Sequence, residues 1–600
     1  MRQKVSDYIA DFLASHDLTQ IFCVVGGGAM HLNDSFGHHP RLSVLYNHHE
    51  QASAMAAESY ARVAEKPGVV CVTSGPGGIN ALNGVAGAYL DSIPMLVFSG
   101  QMKREMTTRY THQKVRSLGT QEFDIVASVQ NMTKFAVMVE DARDIRYDLE
   151  KAYVLATSGR PGPCWLDVPL DIQGAVIETD ELRGYETEGS VPKPDASVLE
   201  QVISQLRQAK RPIVYAGNGI RLAHAYDSFL RLVEQLEIPV VTCWDSIDLI
   251  PSDHPCYCGR GGTMGDRAGN FAVQNSDFLL AVGARLGILQ AGYNVKTWAR
   301  AATTCMVDID AAELAKPTLH IDIPVQADAG EFLSALLERL PADLHAPNDW
   351  QRQCLKWRTS YPVVRKEQYE ATGLANVYAF IDTLSRRLPE GTIAVAANGS
   401  ASVVGSQTYF VKRGSRFILN CAMSSMGYDL PAAVGASVGT HHGSVICLAG
   451  DGSIMMNLQE LQTIATNELP VKIIIINNQG YHQIRQTQNN LFHDGLVGVG
   501  PESHDLSFPE FRKIACAFDY PYVAIRSNAE FESGLEEFLS LPGRGILEVF
   551  VSITQKFEPK SATKRLPDGR LVSPPLEDLA PFLPREELAA NMFIPLVQED

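Results

Sequence analysis

The sequence predicts an α/β protein of three doubly wound, parallel-sheet domains followed by an extended C-terminal tail. Short apolar runs alternate with amphipathic stretches along most of the 600 residues, as strands alternate with crossover helices in such domains. Polar segments with Pro and Gly interrupt this alternation twice, and about three or four domains of ordinary size fit the length. The apolar runs include "GVVCVTS", "PMLVFSG", "RPIVYAGNG", "FLLAVGA", "VICLAG" and "VKIIIIN".

The two polar segments set the predicted domain boundaries. The first, "ELRGYETEGSVPKPDAS" (181–197), ends the first domain, and "PADLHAPNDW" (341–350) ends the second. The last 40 residues are rich in Pro and Glu, and we expect them to form a tail across the surface. The predicted units are 1–180, 190–345, 370–560 and the tail at 561–600.

Composition and charge restrict the class of partner. The net charge of −17 argues against nucleic acid or an anionic membrane as the main partner. No stretch approaches the ~20 apolar residues of a membrane span. The first residues predict an amphipathic helix instead of a signal peptide, and the apolar face of this helix comprises Val5, Tyr8, Ile9, Phe12 and Leu13.

The eleven cysteines indicate reduced thiols in a cytoplasmic protein. They are scattered and odd in number, and none shows the spacing of a metal site. The closest pair, Cys256 and Cys258, is too tightly spaced for the usual CxxC pattern.

A strand–helix–strand unit in the third domain predicts a metal site. "VICLAG" (Val445–Gly450) and "VKIIIIN" (Val471–Asn477) are buried strands, and apolar residues between them recur at helical spacing. The crossover makes the strands parallel, so Asp451 and Asn478 follow two carboxyl ends where ligands of open sheets bind. Oxygen ligands of this kind suit Mg²⁺, although GDG alone can also be a simple turn. Ser453, at the start of the predicted helix, offers hydrogen bonds to a phosphate.

The segment Gly450–Tyr481, "GDGSIMMNLQELQTIATNELPVKIIIINNQGY", resembles the diphosphate-and-metal motif of enzymes that use thiamine diphosphate (ThDP). The resemblance implies that Mg²⁺ is held by the side chains of Asp451 and Asn478 and by the carbonyl of Gly480. It also implies that Gly450, Gly452, Ser453 and Tyr481 belong to the cofactor site.

The first domain supplies the other half of the resemblance. "HEQ", "TSGPGG" and "DSIP" followed by "GQ" resemble the pyrimidine-binding domain of acetohydroxyacid synthases and their relatives. The resemblance makes Glu50 the acid that activates the coenzyme's aminopyrimidine, with Gln101, Lys134 and the backbone of Gly27 near the active centre. Position alone leaves another interpretation of Glu50, because acids at helix starts commonly compensate the helix dipole.

The segment "SSMGYDLPAA" (424–433) matches the family's pyrimidine-binding turn. The resemblance implies that the Ser424 carbonyl and the Met426 N–H bind the pyrimidine edge, and that the Met426 side chain supports the bent cofactor. A methionine in this position can also fill a core.

The central domain resembles the FAD-binding domain of acetohydroxyacid synthases, so FAD is an expected cofactor. Glycine turns after strands admit a pyrophosphate, but they also simply end strands in relatives without flavin. The expected flavin-binding residues are Gly217, Gly219, Gly262, Arg285 and Asp308.

Two departures from the family concern the substrate that accepts the acyl group. Leu289 stands where the family has an Arg that helps to bind a second 2-oxo acid, and Thr487 stands where it has a Trp. Loss of a guanidinium removes a bidentate carboxylate partner. We therefore expect a bulkier or non-acidic acceptor, such as a keto-sugar attached to a nucleotide.

The expected activity is that of an acetolactate synthase-like transferase. It is expected to decarboxylate a 2-oxo acid, namely pyruvate, and to transfer the acyl-anion equivalent to a carbonyl acceptor. A simple 2-oxo acid decarboxylase and a C–C lyase remain alternatives, whereas a non-catalytic binding protein would not be expected to keep Glu50 and the metal motif. The family builds each site between two subunits, which implies a homodimer or homotetramer.

Overall fold

The first sheet lies in the N-terminal domain. The structure, a computed structural model, describes residues 1–600 except 188, 190, 493, 566–568 and 598–600. The sheet is parallel, with strand order β3-β2-β4-β5-β7-β6, and the short strands β1 and β8 pair separately. The strands are β1 Arg2–Lys4, β2 Gln20–Cys23, β3 Ser43–Tyr46, β4 Gly68–Val72, β5 Met95–Gln101, β6 Phe135–Met138, β7 Pro163–Pro169 and β8 Val176–Glu178. The helices are Val5–Ser15, Met30–His38, Glu50–Ala64, Pro76–Leu90, Thr108–Thr111, Ile125–Val129, Ile145–Thr157 and Leu170–Gln173.

The central sheet has the strand order β11-β10-β9-β12-β13-β14, also parallel. By rank along the chain this is 3-2-1-4-5-6, the order of dinucleotide-binding folds, with the reversal between β9 and β12. The strands are β9 Pro212–Ala216, β10 Val240–Thr242, β11 Tyr257–Arg260, β12 Phe278–Val282, β13 Thr303–Asp308 and β14 Ile323–Gln326. The helices are Ala196–Gln208, Gly219–Leu222, Tyr226–Leu236, Arg267–Asn275, Ile288–Ala291, Ala311–Ala315, Ala329–Leu337, Asn348–Ser360 and Lys366–Tyr369.

The third sheet, β16-β15-β17-β18-β20-β19, repeats the rank order of the first sheet. Its direction of winding reverses between β15 and β17, as that of the first sheet does between β2 and β4. The strands are β15 Ile393–Ala396, β16 Arg416–Leu419, β17 Val445–Gly450, β18 Val471–Asn477, β19 Tyr522–Ile525 and β20 Gly545–Phe550. The helices are Val377–Arg387, Gly399–Thr408, Asp429–Gly439, Glu460–Thr466, His482–Leu491, Phe511–Ala517 and Phe531–Ser540.

Three parallel six-stranded sheets with helices on their faces confirm the predicted fold class. The first and third domains pack through helices Glu50–Ala64 and Asp429–Gly439. The helices approach so closely that a Cβ on Gly435 would lie 1.9 Å from the Ala56 carbonyl oxygen, which only glycine permits here. Glu58 is fully buried at this contact and binds Arg62 of its own helix and the Tyr428 hydroxyl.

Two local features differ from the expectation. The helix predicted directly after Ser453 starts as a 3₁₀ turn, Ile454–Met456, and the α-helix begins only at Glu460. Asn457 causes the break, because its side chain donates to the Gly427 carbonyl at 2.8 Å and its backbone is not helical. The tail is also less extended than expected, since it contains short strands β21 Lys564–Arg565 and β22 Leu571–Val572 and the helix Arg585–Ala590.

The tail packs on the central domain. Glu577 is buried against Arg300 at 2.8 Å, and the Phe593 ring lies near Trp350 and Trp357. All eleven cysteines are free thiols, and ten of them are buried. No helix in the described residues has the length and apolarity needed to cross a membrane.

Candidate active site

Asp451 and Asn478 follow the adjacent strands β17 and β18, and β17 borders the point where the third sheet reverses its winding. Strand β17 ends at Gly450 and strand β18 ends at Asn477, so both residues follow carboxyl ends of adjacent parallel strands. The Asp451 carboxylate accepts hydrogen bonds from the Gly452 N–H at 3.0 Å and the Gly480 N–H at 2.8 Å. The sequence pattern thus places both residues as predicted.

The charge of Asp451 is poorly compensated inside the protein. Burial raises the pKa of this carboxyl to about 7, although the two backbone N–H groups and Arg485 oppose the rise. The Asn478 amide donates to the Ser400 hydroxyl at 2.8 Å, while its buried Oδ1 has no hydrogen-bond partner in the described part of the chain. A buried carboxylate beside an unpartnered amide oxygen fits a hard cation, which would compensate both.

The remaining residues of the motif shape this turn. Gly480 has φ +123°, a Cβ there would lie 2.0 Å from the Val499 carbonyl oxygen, and its own carbonyl accepts from the His482 N–H. A Cβ on Gly452 would lie 2.4 Å from the Tyr481 ring, so this glycine lets the ring pack on the turn. No cluster of three or more His, Cys, Asp or Glu side chains that could hold a metal occurs among the described residues. The predicted oxygen donors at this turn remain the Asp451 carboxylate, the Asn478 amide oxygen and the Gly480 carbonyl.

The turn that contains Met426 is tied to the metal motif. The Ser453 hydroxyl accepts from the Gly427 N–H at 2.9 Å and donates to Asp429 at 2.7 Å. The Ser424 carbonyl accepts from the Asn398 amide. Met426 itself is 37% exposed, so its side chain points away from the core and is available to support a ligand.

Glu50 lies at the first turn of its helix, as predicted. One carboxylate oxygen accepts from the Asn80 amide at 3.0 Å, and the other faces Gly77, where a Cβ would be 3.5 Å away. Both neighbours belong to the segment after strand β4, beside the point where the first sheet reverses. Gly27 lies at the same edge of the sheet, as the exposed first residue of the 3₁₀ turn Gly27–Ala29 after β2.

Gln101 ends strand β5 and is fixed by a buried acid. Its amide donates to Asp167 at 3.0 Å, and Ser99 donates to the other Asp167 oxygen at 2.6 Å. Burial raises the pKa of Asp167 to about 7. Lys134 instead donates to the Ser158 carbonyl at 2.7 Å, and no hydrogen bond joins it to Glu50 or Gln101 within the described residues.

The two halves of the site belong to domains that touch within one chain, where the Ser425 hydroxyl donates to Asn83 at 2.7 Å. Among the described residues no hydrogen bond or ion pair joins Glu50 to Asp451. Each half is bordered by exposed apolar side chains: Val25, Met30 and Ile79 near Gly27 and Glu50, and Met423, Met426, Met455 and Met456 near Asp451.

A cavity of about 560 Å³ opens at the reversal point of the central sheet. Gly217, Gly219, Arg285 and Asp308 all line it, whereas Gly262 is not among its lining residues. Arg285 donates to the Leu90 carbonyl at 2.7 Å, which joins the cavity wall to the first domain. A Cβ on Gly262 would instead meet the Leu289 carbonyl oxygen at 2.2 Å.

Comparisons with known proteins agree with this architecture. Family models for thiamine pyrophosphate enzymes match the N-terminal TPP-binding domain at 3–125, the central domain at 199–336 and the C-terminal TPP-binding domain at 397–549. Acetolactate synthase isozyme 2 large subunit of Escherichia coli K12 is 32% identical over 96% of this chain and 100% of its own length. Chloroplastic acetolactate synthases of rice and Arabidopsis thaliana are 32% and 30% identical, over 92% and 91% of this chain and 85% and 81% of theirs.

The chain belongs to the ThDP-dependent, acetolactate synthase-like enzymes. Membership confirms the resemblance on which the sequence interpretation relied. The ThDP-binding halves then correspond to the first and third domains, and Gly27 and Asp451 follow strands that border the reversal points of their sheets.

The structure adds supporting residues to this ThDP-dependent site that the sequence did not indicate. Ser400 orients Asn478, Asn457 holds the turn with Met426, Asp429 holds Ser453, and Asp167 holds Gln101. Each partner is separated in sequence from the residue it supports, by 24 to 78 positions. Sequence patterns over a few residues do not indicate such contacts, so they are seen only in the folded structure.

The geometry at Asp451 predicts that Asp451→Asn weakens Mg²⁺ binding on the order of 100-fold or more, because direct ligands contribute more than their supporting neighbours. Isothermal titration of Mg²⁺ in the presence of ThDP measures the change. Asp505→Asn, at an exposed acid that accepts from the Gly498 N–H, is the matched control. Equal affinity in both variants would exclude Asp451 from the metal site.

Proposed function

We propose that this enzyme is a Mg²⁺-dependent carboligase that decarboxylates pyruvate and transfers the two-carbon acyl unit to a bulky carbonyl acceptor. The acceptor class is a keto-sugar attached to a nucleotide. The observation that carries the cofactor half is the buried Asp451 carboxylate beside the unpartnered oxygen of Asn478. ThDP, when bound, supplies the electron sink that lets CO₂ leave from a 2-oxo acid.

The chain's own residues would hold the cofactor at two ends. Asp451, Asn478 and the Gly480 carbonyl would hold Mg²⁺, and Gly450, Gly452, Ser453 and Tyr481 would surround the diphosphate. Ser424 and Met426 would face the pyrimidine edge. Glu50 would share its proton with a pyrimidine nitrogen, and its Asn80 hydrogen bond fixes the carboxyl group in one orientation.

A homodimer or homotetramer would complete each site. The apolar side chains near Glu50 and those near Asp451 are exposed in the single chain, which is typical of surfaces that another copy covers. In such an assembly Glu50 of one subunit would meet Asp451 of the other. The free thiols fit the reducing compartment expected for a cytoplasmic enzyme.

The proposed acceptor follows from two positions that face solvent. Leu289 is 38% exposed and Thr487 is exposed on the helix that follows the metal motif. Neither side chain can pair with a carboxylate as an arginine would. Both leave room for a larger acceptor, whereas a simple decarboxylase or a C–C lyase would need no acceptor site here.

We also propose that the central cavity binds FAD. The strand order of the sheet and the cavity at its reversal point are features of a dinucleotide site, and Asp308 at the end of β13 lines that cavity. Asp308 at that end would meet a ribose hydroxyl, and Arg285 would face the phosphates.

The role of Glu50 predicts that Glu50→Gln abolishes deuterium exchange at C2 of bound ThDP while leaving the fold intact. Nuclear magnetic resonance of quenched samples measures the exchange, and circular dichroism checks the fold. The control is Glu65→Gln, just beyond the other end of the same helix, where the side chain pairs with His224 at 3.0 Å. Unchanged exchange in Glu50→Gln would remove Glu50 from the reaction.

The acceptor proposal predicts slow acetolactate formation when low pyruvate is the sole substrate. With a nucleotide-linked keto-sugar added, mass spectrometry should show the acceptor plus one acetaldehyde unit. Leu289→Arg combined with Thr487→Trp should raise acetolactate formation about tenfold by restoring a carboxylate partner. Rapid acetolactate formation by the unmodified enzyme would contradict the proposal, and acetaldehyde release with no acceptor dependence would identify a decarboxylase.

The flavin proposal predicts that the purified enzyme is yellow. Denaturation should release a fluorescent flavin in a ratio near one per chain, measured against protein concentration. A colourless enzyme that takes up no FAD during dialysis would show that the cavity serves another ligand.

A further inference from the structure

A basic segment lies beside the proposed acceptor site of this acidic protein. The segment Lys556–Arg565, "KFEPKSATKR", carries Lys556, Lys560, Lys564 and Arg565 but one acid, Glu558, in a chain of net charge −17. We call it the basic strap. Its charge contrasts with the rest of the molecule, and the structure shows where it is fixed.

The basic strap bridges the two positions at which the chain departs from its relatives. Just before it, the Gln555 carbonyl accepts from His482 at 2.5 Å and from Gln486 at 3.1 Å, on the helix that carries Thr487. Further along, the Ser561 N–H donates to the Thr263 carbonyl at 2.6 Å, and the Thr263 N–H donates to the Leu289 carbonyl at 2.8 Å. The strap therefore connects the helix of Thr487 with the turn of Leu289.

The backbone of the strap is held on several sides around Lys560. Lys560 exchanges two backbone hydrogen bonds with Ala580, at 3.0 and 2.8 Å. The Pro559 carbonyl accepts from the Gln407 amide at 2.7 Å, and the Glu558 N–H donates to the Tyr378 hydroxyl at 2.8 Å. The position of the Lys560 side chain is consequently set by fixed backbone rather than by a loose loop.

The ammonium group of Lys560 is partly buried, and Glu558 is the acid whose charge acts on it. No hydrogen bond or ion pair of its side chain occurs among the residues that the structure describes. Burial lowers the pKa of Lys560, and Lys556 adds to the effect while Glu558 opposes it. Glu558 itself lies 3.6 Å from Arg365, so its charge is shared. A partly desolvated cation of this kind gains from an anionic ligand.

The other nearby cation is already engaged. Arg485 donates to the carbonyls of Asn478 at 3.1 Å and Gln479 at 2.8 Å, and its guanidinium lies 2.8 Å from Glu502. It therefore holds the metal-motif turn and has little capacity for a substrate. Lys560 is a partly buried cation in this region that the described contacts leave available.

We propose that Lys560 binds a phosphate group of the carbonyl acceptor and thereby selects phosphate-bearing acceptors. This inference rests on the proposed carboligase function, since it assigns the acceptor's anionic part. A lysine acts as a point charge on phosphate, whereas planar carboxylate recognition favours the arginine that this chain lacks at position 289. Several cations spread along one strap suit an extended phosphate or diphosphate better than one carboxylate.

Binding and transfer are tested with two ketones that share one reacting carbonyl, dihydroxyacetone phosphate and dihydroxyacetone. The enzyme carries ThDP and Mg²⁺, and the variants are Lys560→Gln, Lys560→Arg and, as a control at an exposed lysine paired with Glu370, Lys366→Gln. Calorimetry measures affinity without turnover, and product analysis with pyruvate measures kcat and KM for each acceptor.

The unmodified enzyme should bind the phosphate ester about tenfold more tightly than the neutral ketone, as expected for one charge-assisted contact. Lys560→Gln should lose this preference through KM for the phosphate ester, with acceptor-independent decarboxylation of pyruvate unchanged. Lys560→Arg should restore most of the preference, and Lys366→Gln should retain all of it.

Equal affinity for the two ketones, or a preference that survives Lys560→Gln, would overturn the assignment of Lys560. If Lys560→Gln instead loses transfer to 2-oxobutyrate, the partner of Lys560 is a carboxylate and the phosphate proposal fails. If the phosphate ester binds as expected but no acceptor yields product, the carboligase proposal fails while the binding site stands.

Discussion

The site depends on the reversal of winding in parallel sheets. A crossover helix normally covers the carboxyl end of a strand, but between two strands whose connections leave in opposite directions the edge stays open. In this enzyme the openings lie between β2 and β4, between β9 and β12, and between β15 and β17. The side chains that follow those strands meet a crevice instead of a loop. Asp451 is buried there with a carboxylate that two N–H groups only partly satisfy, so the fold itself creates the demand for a cation.

The glycines in the turns of the central domain are required by backbone packing, whether or not a ligand binds there. A Cβ on Gly217 would lie 2.2 Å from the Gly283 carbonyl oxygen, and one on Gly219 would lie 2.6 Å from the Gly283 Cα. The turns after β9 and β12 therefore require glycine because their backbones are in direct contact. Their glycine pattern is weak evidence for a dinucleotide. The strand order, the cavity and the position of Asp308 are independent of that packing, and they carry the argument for a nucleotide ligand.

The sequence predicted what depends on neighbours in the chain and missed what depends on distant ones. Strands Val445–Gly450 and Val471–Asn477 agree with their apolar runs residue for residue, and the helix of Glu50 begins where the Ala-rich segment does. The prediction of a helix directly after Ser453 was wrong because the Asn457 side chain bonds to Gly427, thirty positions earlier. The helical spacing of apolar residues continues through that break, so the sequence pattern does not indicate it. The contacts of Asp167 with Gln101 and of Ser400 with Asn478 were missed for the same reason, because the partners are distant in sequence.

Charge links the basic strap to the chemistry of this site. A protein of net charge −17 repels an anionic substrate only over short distances, since charges are screened within about 8 Å at physiological ionic strength. Within that range, the charges nearest to the site determine whether an anion binds. Arg485 is one of these charges, but it is bound to the carbonyls of Asn478 and Gln479 in the metal-motif turn. An arginine that is bound in this way is not free to bind a substrate as well. If Lys560 binds the acceptor as proposed, a second cation on a separate, fixed segment would let acceptor choice vary without disturbing the cofactor turn, because the two functions would share no side chain.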